Sequence, residues 1–226
     1  MTAAKLISLP GFSSPASPEA PSDARPLAEL AAPGRIVELC GQAQSSTAAA
    51  ILVHAQREGE TAAWIQLAQG ELYPPDLSAA GVDVEALLVV HVPPSGSEKI
   101  SGPTGQCRAA ELLLRSGGFG LVILDFCRAE PEGSTAWQGR LLGLARQHEA
   151  RVLILRRDTR EQLASLGPLI SMRVASRVER AQVDDDPPGF TRRTGRFVIR
   201  HEVLKNKSGG PLEPAPLLVR GPWGLL

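Results

Sequence analysis

The stretch Gly34 to Gly59, GRIVELCGQAQSSTAAAILVHAQREG, decides the fold. Arg35 to Cys40 is a short, mostly apolar run with β-branched Ile36 and Val37, bounded by Gly34 and Gly41, the pattern of a buried strand. From Ser45 the pattern changes: Ser45 and Ser46 suit an N-cap, and Ala49, Leu52, Val53 and Gln56 follow at helical spacing. A strand feeding a helix through a turn of small residues is an arrangement that holds phosphate. Backbone N–H groups and the helix N-terminus face the anion, and a lysine neutralises its charge. That chemistry needs G-x-x-x-x-G-K-[ST]. Here Gly41 is followed by Gln42, Ala43, Gln44 and Ser45, then by Ser46, Thr47 and Ala48. The second glycine, the lysine and the magnesium-binding hydroxyl are all absent. The turn is expected to keep the shape of a nucleotide loop without its chemistry.

The flanks repeat the alternation of strand and helix. Thr61 to Leu67 reads as a second strand, Pro74 to Asp76 open a short helix that closes near Gly81, and Ala86 to Val92 is a third strand, apolar enough for cover on both faces. Pro93 to Gly105 is loop, Gln106 to Ser116 a helix, and Phe119 to Phe126 the plainest strand in the chain, with Asp125 at its end. Ser134 caps a helix through His148, and Val152 to Leu155 is another buried strand. This order implies an α/β protein with a mostly parallel sheet and helices on both faces. Ser171 to Gln182 and Arg196 to Leu204 then alternate apolar and charged residues around an acidic turn at Asp184 to Gly189. That is an antiparallel hairpin with one wet face at the sheet edge.

At 226 residues and 43% hydrophobic content the chain is long enough for one sizeable core. Three regions follow: a Pro/Ser/Ala-rich lead over 1–30, a core domain over 31–211, and an apolar tail over 212–226. Lys+Arg and Asp+Glu balance at 24 each, so bulk charge points neither toward nor away from nucleic acid, and 4% aromatics leave little for base stacking. Cys40, Cys107 and Cys127 lack metal spacing, and their odd number fits a reduced cytoplasm. The histidines at 54, 91, 148 and 201 are scattered, so no metal site is expected. No apolar run is long enough to span a bilayer and no secretion signal is visible, which makes a cytoplasmic protein the expectation.

The order of the pieces resembles the RecA recombinase core over roughly Gly34 to Val219. Gly34 to Leu39 (GRIVEL) with Gly41 looks like the strand entering the Walker A loop. Ala55 to Gly59 (AQREG) is similar to the end of its helix, and Gly81 to Val89 (GVDVEALLV) to the GVD segment. Arg115 to Asp125 (RSGGFGLVILD) looks like the Walker B strand, and Val203 to Pro211 (VLKNKSGGP) is similar to the KNK segment. The resemblance implies a RecA-like P-loop core. Within it the lysine position holds Thr47 and the magnesium-binding position Ala48. Ala68 stands where the water-activating glutamate belongs, with Glu71 one insertion out of register, and Arg156 or Arg157 replaces the polar γ-phosphate sensor.

A small RecA relative with these losses is similar to ImuA-type accessory proteins of bacterial damage-induced mutagenesis. The resemblance implies a non-catalytic adaptor in the SOS response and translesion synthesis. Its partners would be an ImuB-type polymerase relative, a DnaE-type error-prone polymerase and RecA; ATP and magnesium are not expected as cofactors. Such a protein would be cytoplasmic and nucleoid-associated when engaged.

The candidate sites follow, each beside a plainer reading. Gly41, Gln42, Ala43, Gln44, Ser45, Ser46, Thr47 and Ala48 form the degenerate nucleotide loop. Asp125 either binds magnesium or hydrogen-bonds the loop at Gln44–Thr47. Lys205 and Lys207 contact a partner or a nucleotide in trans, or end a solvated strand. Arg173, Arg177, Arg192, Arg193, Arg196 and Arg200 are candidate DNA contacts, or line a wet sheet face. Leu217, Leu218, Trp223, Leu225 and Leu226 are a candidate docking segment, or pack on their own domain. The alternatives to the adaptor are an ATP-independent DNA-binding recombination regulator and a weak divergent ATPase using Glu71 and Asp125.

Overall fold

The computed structural model describes residues 27–97, 100–132, 135–157, 165–180, 196–207 and 212–220. A 3-10 turn over Leu27–Ala31 leads into β1 (Arg35–Gly41) and α1 (Gln44–Arg57). There follow β2 (Ala62–Leu67), α2 (Pro74–Ala79), β3 (Leu87–Val92), α3 (Gly102–Ser116), β4 (Leu121–Asp125), α4 (Ala136–Gln147) and β5 (Arg151–Leu155). The chain then adds β6 (Met172–Arg180), β7 (Arg196–Asn206) and β8 (Leu217–Arg220). All eight strands share one sheet in the order β3-β2-β4-β5-β1-β6-β7-β8. The first six in that order run parallel, and β7 and β8 add antiparallel.

Because successive strand residues point to opposite faces, the central runs feed two cores. On the α1 side Val37, Leu39, Trp64, Ile123 and Leu153 pack with Leu52 of α1. On the other side Ile36, Ile65, Val122 and Ile154 pack with Leu114 of α3 and Leu141 of α4.

Four expectations change. First, α1 begins at Gln44 with Ala43 at its N-cap, and no side chain caps it. Second, α3 starts at Gly102, because Pro103 pre-sets the first turn and draws Gly102–Gly105 out of the expected loop. Third, β3 pairs only with β2, so it is an edge with Leu88 exposed rather than a strand covered on both faces. Fourth, the expected antiparallel edge is present but wider than one hairpin: β6 joins the parallel ladder beside β1, its residues Met172–Ser176 are buried, and β8 adds an outer strand beyond β7. Exposure begins only at Arg177. Ser134, expected to cap α4, lies outside the described residues, and Thr135 is the N-cap.

Candidate functional site

The carboxyl ends of β1, β2, β4 and β5 gather the segments that a sheet of this kind uses for ligands: 41–48, 68–71, 125–127 and 156–157. β1 ends on Gly41 in the left-handed region (φ 94°), where a Cβ would lie 2.5 Å from the Ser176 carbonyl oxygen. Only glycine lets β1 turn this close to β6.

After Gln42 and Ala43 the chain goes straight into helix. The Thr47 amide donates to the Ala43 carbonyl at 2.9 Å, closing a helical turn over residues that a phosphate loop would leave open. This corrects the expected loop shape: Ser46 supplies no glycine, and the run of Ala48, Ala49 and Ala50 favours helix from the start. Thr47, at the lysine position, is fully buried. Its Oγ1 lies 3.0 Å from the Ala43 carbonyl oxygen, 2.9 Å from Ser176 Oγ and 3.1 Å from His201 Nε2. A hydroxyl has one proton to give, so its remaining contacts are made through its lone pairs. Burial pushes the His201 imidazole down to about 4, against a backbone hydrogen bond with Ala215 that works the other way. The ring is therefore neutral at pH 7, and no formal charge enters the space beside Thr47.

Asp125 bonds its own turn and β2 rather than residues 44–47. Its Oδ1 accepts from the Cys127 amide at 3.0 Å, and its Oδ2 is 3.4 Å from Trp64 Nε1. The expected bond from Asp125 to the loop is thus replaced by bonds to β2 and to its own turn. Gln44 instead reaches Cys127, Nε2 to Sγ at 3.5 Å, while its Oε1 is buried without a hydrogen-bond partner. The Cys127 thiol is pushed up to about 12, first by burial and then by Asp125, so it stays protonated and unreactive.

At the water-activating position Ala68 contributes only its backbone amide, bonded to the Val92 carbonyl at 2.8 Å. Glu71 pairs with Arg128 at 2.8 Å and with Arg157. The bond from Arg157 and the charges of both arginines hold its carboxyl below the usual range. A carboxylate so engaged is a poor base for activating water.

The structure separates Arg156 from Arg157. Arg157 is exposed and goes to Glu71, whereas Arg156 is buried in an ion cluster that sequence reasoning missed. At its centre is Glu38 of β1, fully buried, 2.9 Å from Arg156 Nη1 and 2.9 Å from Arg173 Nε. Arg156 also forks onto Glu130, at 2.7 and 2.8 Å. Burial works against the Arg156 charge, but its bonds to Glu130 and Glu38 outweigh it and hold the guanidinium protonated. Ser165 Oγ and the Leu166 amide complete Glu38 Oε2, each at 3.1 Å. A signal was present: a glutamate inside the apolar run GRIVEL must be paired if that run is buried.

Several site residues move accordingly. Arg173, a candidate DNA contact, is buried against Glu38, because β6 lies inside the sheet. Lys205 does not end a solvated strand: its Nζ donates to Ser165 Oγ at 3.2 Å and to the Gly167 carbonyl at 3.1 Å. Burial, and then Lys207, pull its ammonium below the usual lysine range. Lys207 donates to the Pro168 carbonyl and is exposed. Arg177 and Arg200 are exposed partners across β6 and β7, and Arg200 pairs with Glu179 at 2.8 Å. Arg196 lies in β7. Leu217 and Leu218 lie in β8, paired with β7, so this part of the tail is sheet. Arg192, Arg193, Trp223, Leu225 and Leu226 lie outside the described residues. Among the described residues no group of acidic, histidine and cysteine side chains is set to hold a metal ion, and no helix is long and apolar enough to cross a membrane.

No family model matches the chain, and no curated protein matches its sequence. Among solved structures it is similar to one described as the RadB recombinase, with a TM-score of 0.53 and 16% identity over 87% of this chain and 92% of that one. At that identity the likeness speaks for the fold: a RecA-like α/β sheet with an antiparallel extension.

Proposed function

We propose that this chain is a non-catalytic RecA-like adaptor or regulator. Its setting is the SOS response and translesion synthesis, beside an ImuB-type polymerase relative and a DnaE-type polymerase, with RecA itself a further partner. The observation that carries the non-catalytic part is Thr47. At the lysine position stands a buried hydroxyl already engaged by Ala43, Ser176 and His201. Phosphoryl transfer depends almost wholly on positioning and charge stabilisation, so a site without the lysine, the magnesium hydroxyl and the glutamate has no means of turnover. The assignment to translesion synthesis rests on the sequence resemblance alone.

Purified full-length protein is expected to hydrolyse no ATP, with or without single-stranded DNA, and to gain no thermal stability from ATP and magnesium. DNA-stimulated turnover that Asp125→Ala abolishes would remove this reading and favour the divergent ATPase. The ATP-independent DNA-binding regulator is the second reading, and the exposed Arg177–Arg200 pair favours it. Anisotropy with an oligonucleotide across a salt series separates the two, since phosphate contacts give a steep slope.

A further inference from the structure

The outer face of α4 carries an unusual combination. Gly139 and Gly143 stand one turn apart on its exposed side, in the middle of a helix. Among the described residues, a Cβ at 143 would meet nothing within 4 Å, and one at 139 would make only an ordinary contact with Leu169, at 3.7 Å. Neither glycine is demanded by the packing of the described residues, yet both weaken the helix relative to alanine. Exposed glycines at this spacing let another backbone come close.

Both ends of this bare strip are cationic. At its start, Arg140 joins Arg108 and Arg115 of α3 around one carboxylate, Glu111, at 3.1, 3.2 and 2.5 Å. Glu111 is buried while each arginine is half exposed, so three guanidinium groups are held in place with donors to spare. At the other end lies a cleft of about 540 Å³ between α4, the start of β1 and the end of β7. Leu142, Leu169 and Pro33 give it an apolar lining, and among its described lining residues the cations Arg146 and Lys207 stand beside the carboxylate of Glu149. The Arg146 stem is steered over Gly34, where a Cβ would come within 3.3 Å of its Cγ.

We infer that the α4 face is a docking surface for an acidic, amphipathic helix of a partner protein. Its backbone would approach along Gly139 and Gly143, its carboxylates would meet the two cationic ends, and an apolar side chain would enter the cleft. Charge complementarity selects acidic over basic segments. The apolar lining and the carboxylate in each cluster select a peptide over nucleic acid, whose phosphates offer nothing to Leu142 or Leu169. This surface lies apart from the Thr47 site and does not depend on how that site is read.

The probe is a fluorescent peptide with leucines at i, i+3, i+4 and i+7 and glutamates elsewhere, titrated with full-length protein. A lysine-for-glutamate version and a single-stranded oligonucleotide serve as comparisons. The acidic peptide is expected to bind at least about tenfold tighter than the basic one, and to weaken as salt rises. Gly143→Gln fills the strip where space is open and favours helix, so it should leave the melting temperature equal or higher while weakening binding about tenfold. Arg146→Glu should weaken it similarly. Equal affinity for the two peptides, undiminished binding by Gly143→Gln, tighter binding of the oligonucleotide that Gly143→Gln also weakens, or no binding of the acidic peptide would each overturn the inference.

Discussion

Two buried polar sites flank the β1–β6 ladder, one on each face of the sheet, and they solve the same problem differently. On the α1 face, Thr47, Ser176 and His201 meet as neutral groups. On the α4 face, Glu38, Arg156 and Arg173 meet as charges. Neutral groups lose little on leaving water if each finds a partner. Charges lose much more, and keep their place only while every partner stays. The expected nucleotide loop thus lies beside the neutral site, and the charges tie β1, Arg156 after β5, β6 and residues 165–166 together.

That contrast breaks most visibly at Glu38. Glu38→Ala removes the partner shared by two buried guanidinium groups and is expected to destabilise the fold by about 3–5 kcal/mol, read from urea unfolding. Arg156 keeps Glu130, so the variant tests how far that remaining pair holds β5 and β6 to β1. A loss below about 1 kcal/mol would mean that water takes over the role of Glu38, and the cluster would then be no different from a surface pair.

The neutral site should answer to pH instead. His201 is held down to about 4 in the folded chain, against an ordinary value near 6.5 when unfolded. Between those values the unfolded chain binds more protons, so stability rises with pH. The His201 contribution is complete above about pH 6.5 and is lost as pH falls through 4, by about 3 kcal/mol at full protonation. His201→Gln should flatten this part of the stability–pH profile while retaining a hydrogen-bonding group near Thr47. An unchanged profile would show that His201 titrates alike in the folded and unfolded chain, so that burial beside Thr47 does not hold the ring neutral.

How far the sequence discloses these sites depends on the range of the signal. The strands were legible because runs such as FGLVILDF report burial locally, and Thr47 at the lysine position was legible as a missing charge. The partners were not. Arg173 in MRVASRVER reads as the wet side of a period-2 strand, and only the β1–β6 pairing brings it to Glu38, far earlier in the chain. The helical turn at Gln44 was also hidden, since Ser45 and Ser46 read equally well as caps. What put β6 inside the sheet was its parallel pairing with β1 on one side and β7 on the other, and β8, a four-residue strand that a short apolar tail does not announce, then covers β7.

The smallest effect belongs to the outer arginines. Arg200 and Glu179 form an exposed pair, with side chains 62% and 52% accessible, so Arg200→Ala should change stability by no more than about 0.5 kcal/mol. Its effect on DNA binding is the informative part. If the β6–β7 face contacts phosphate, removing Arg200 should weaken an oligonucleotide roughly uniformly across sequences and reduce the salt slope by about one ion. If that face is only solvated, neither changes. Paired with Glu38→Ala, the experiment sets a charge whose loss is felt by the fold against one whose loss only a ligand would feel. Both lie on the same hairpin-bearing half of the sheet, where β6 passes from buried to exposed between Ser176 and Arg177.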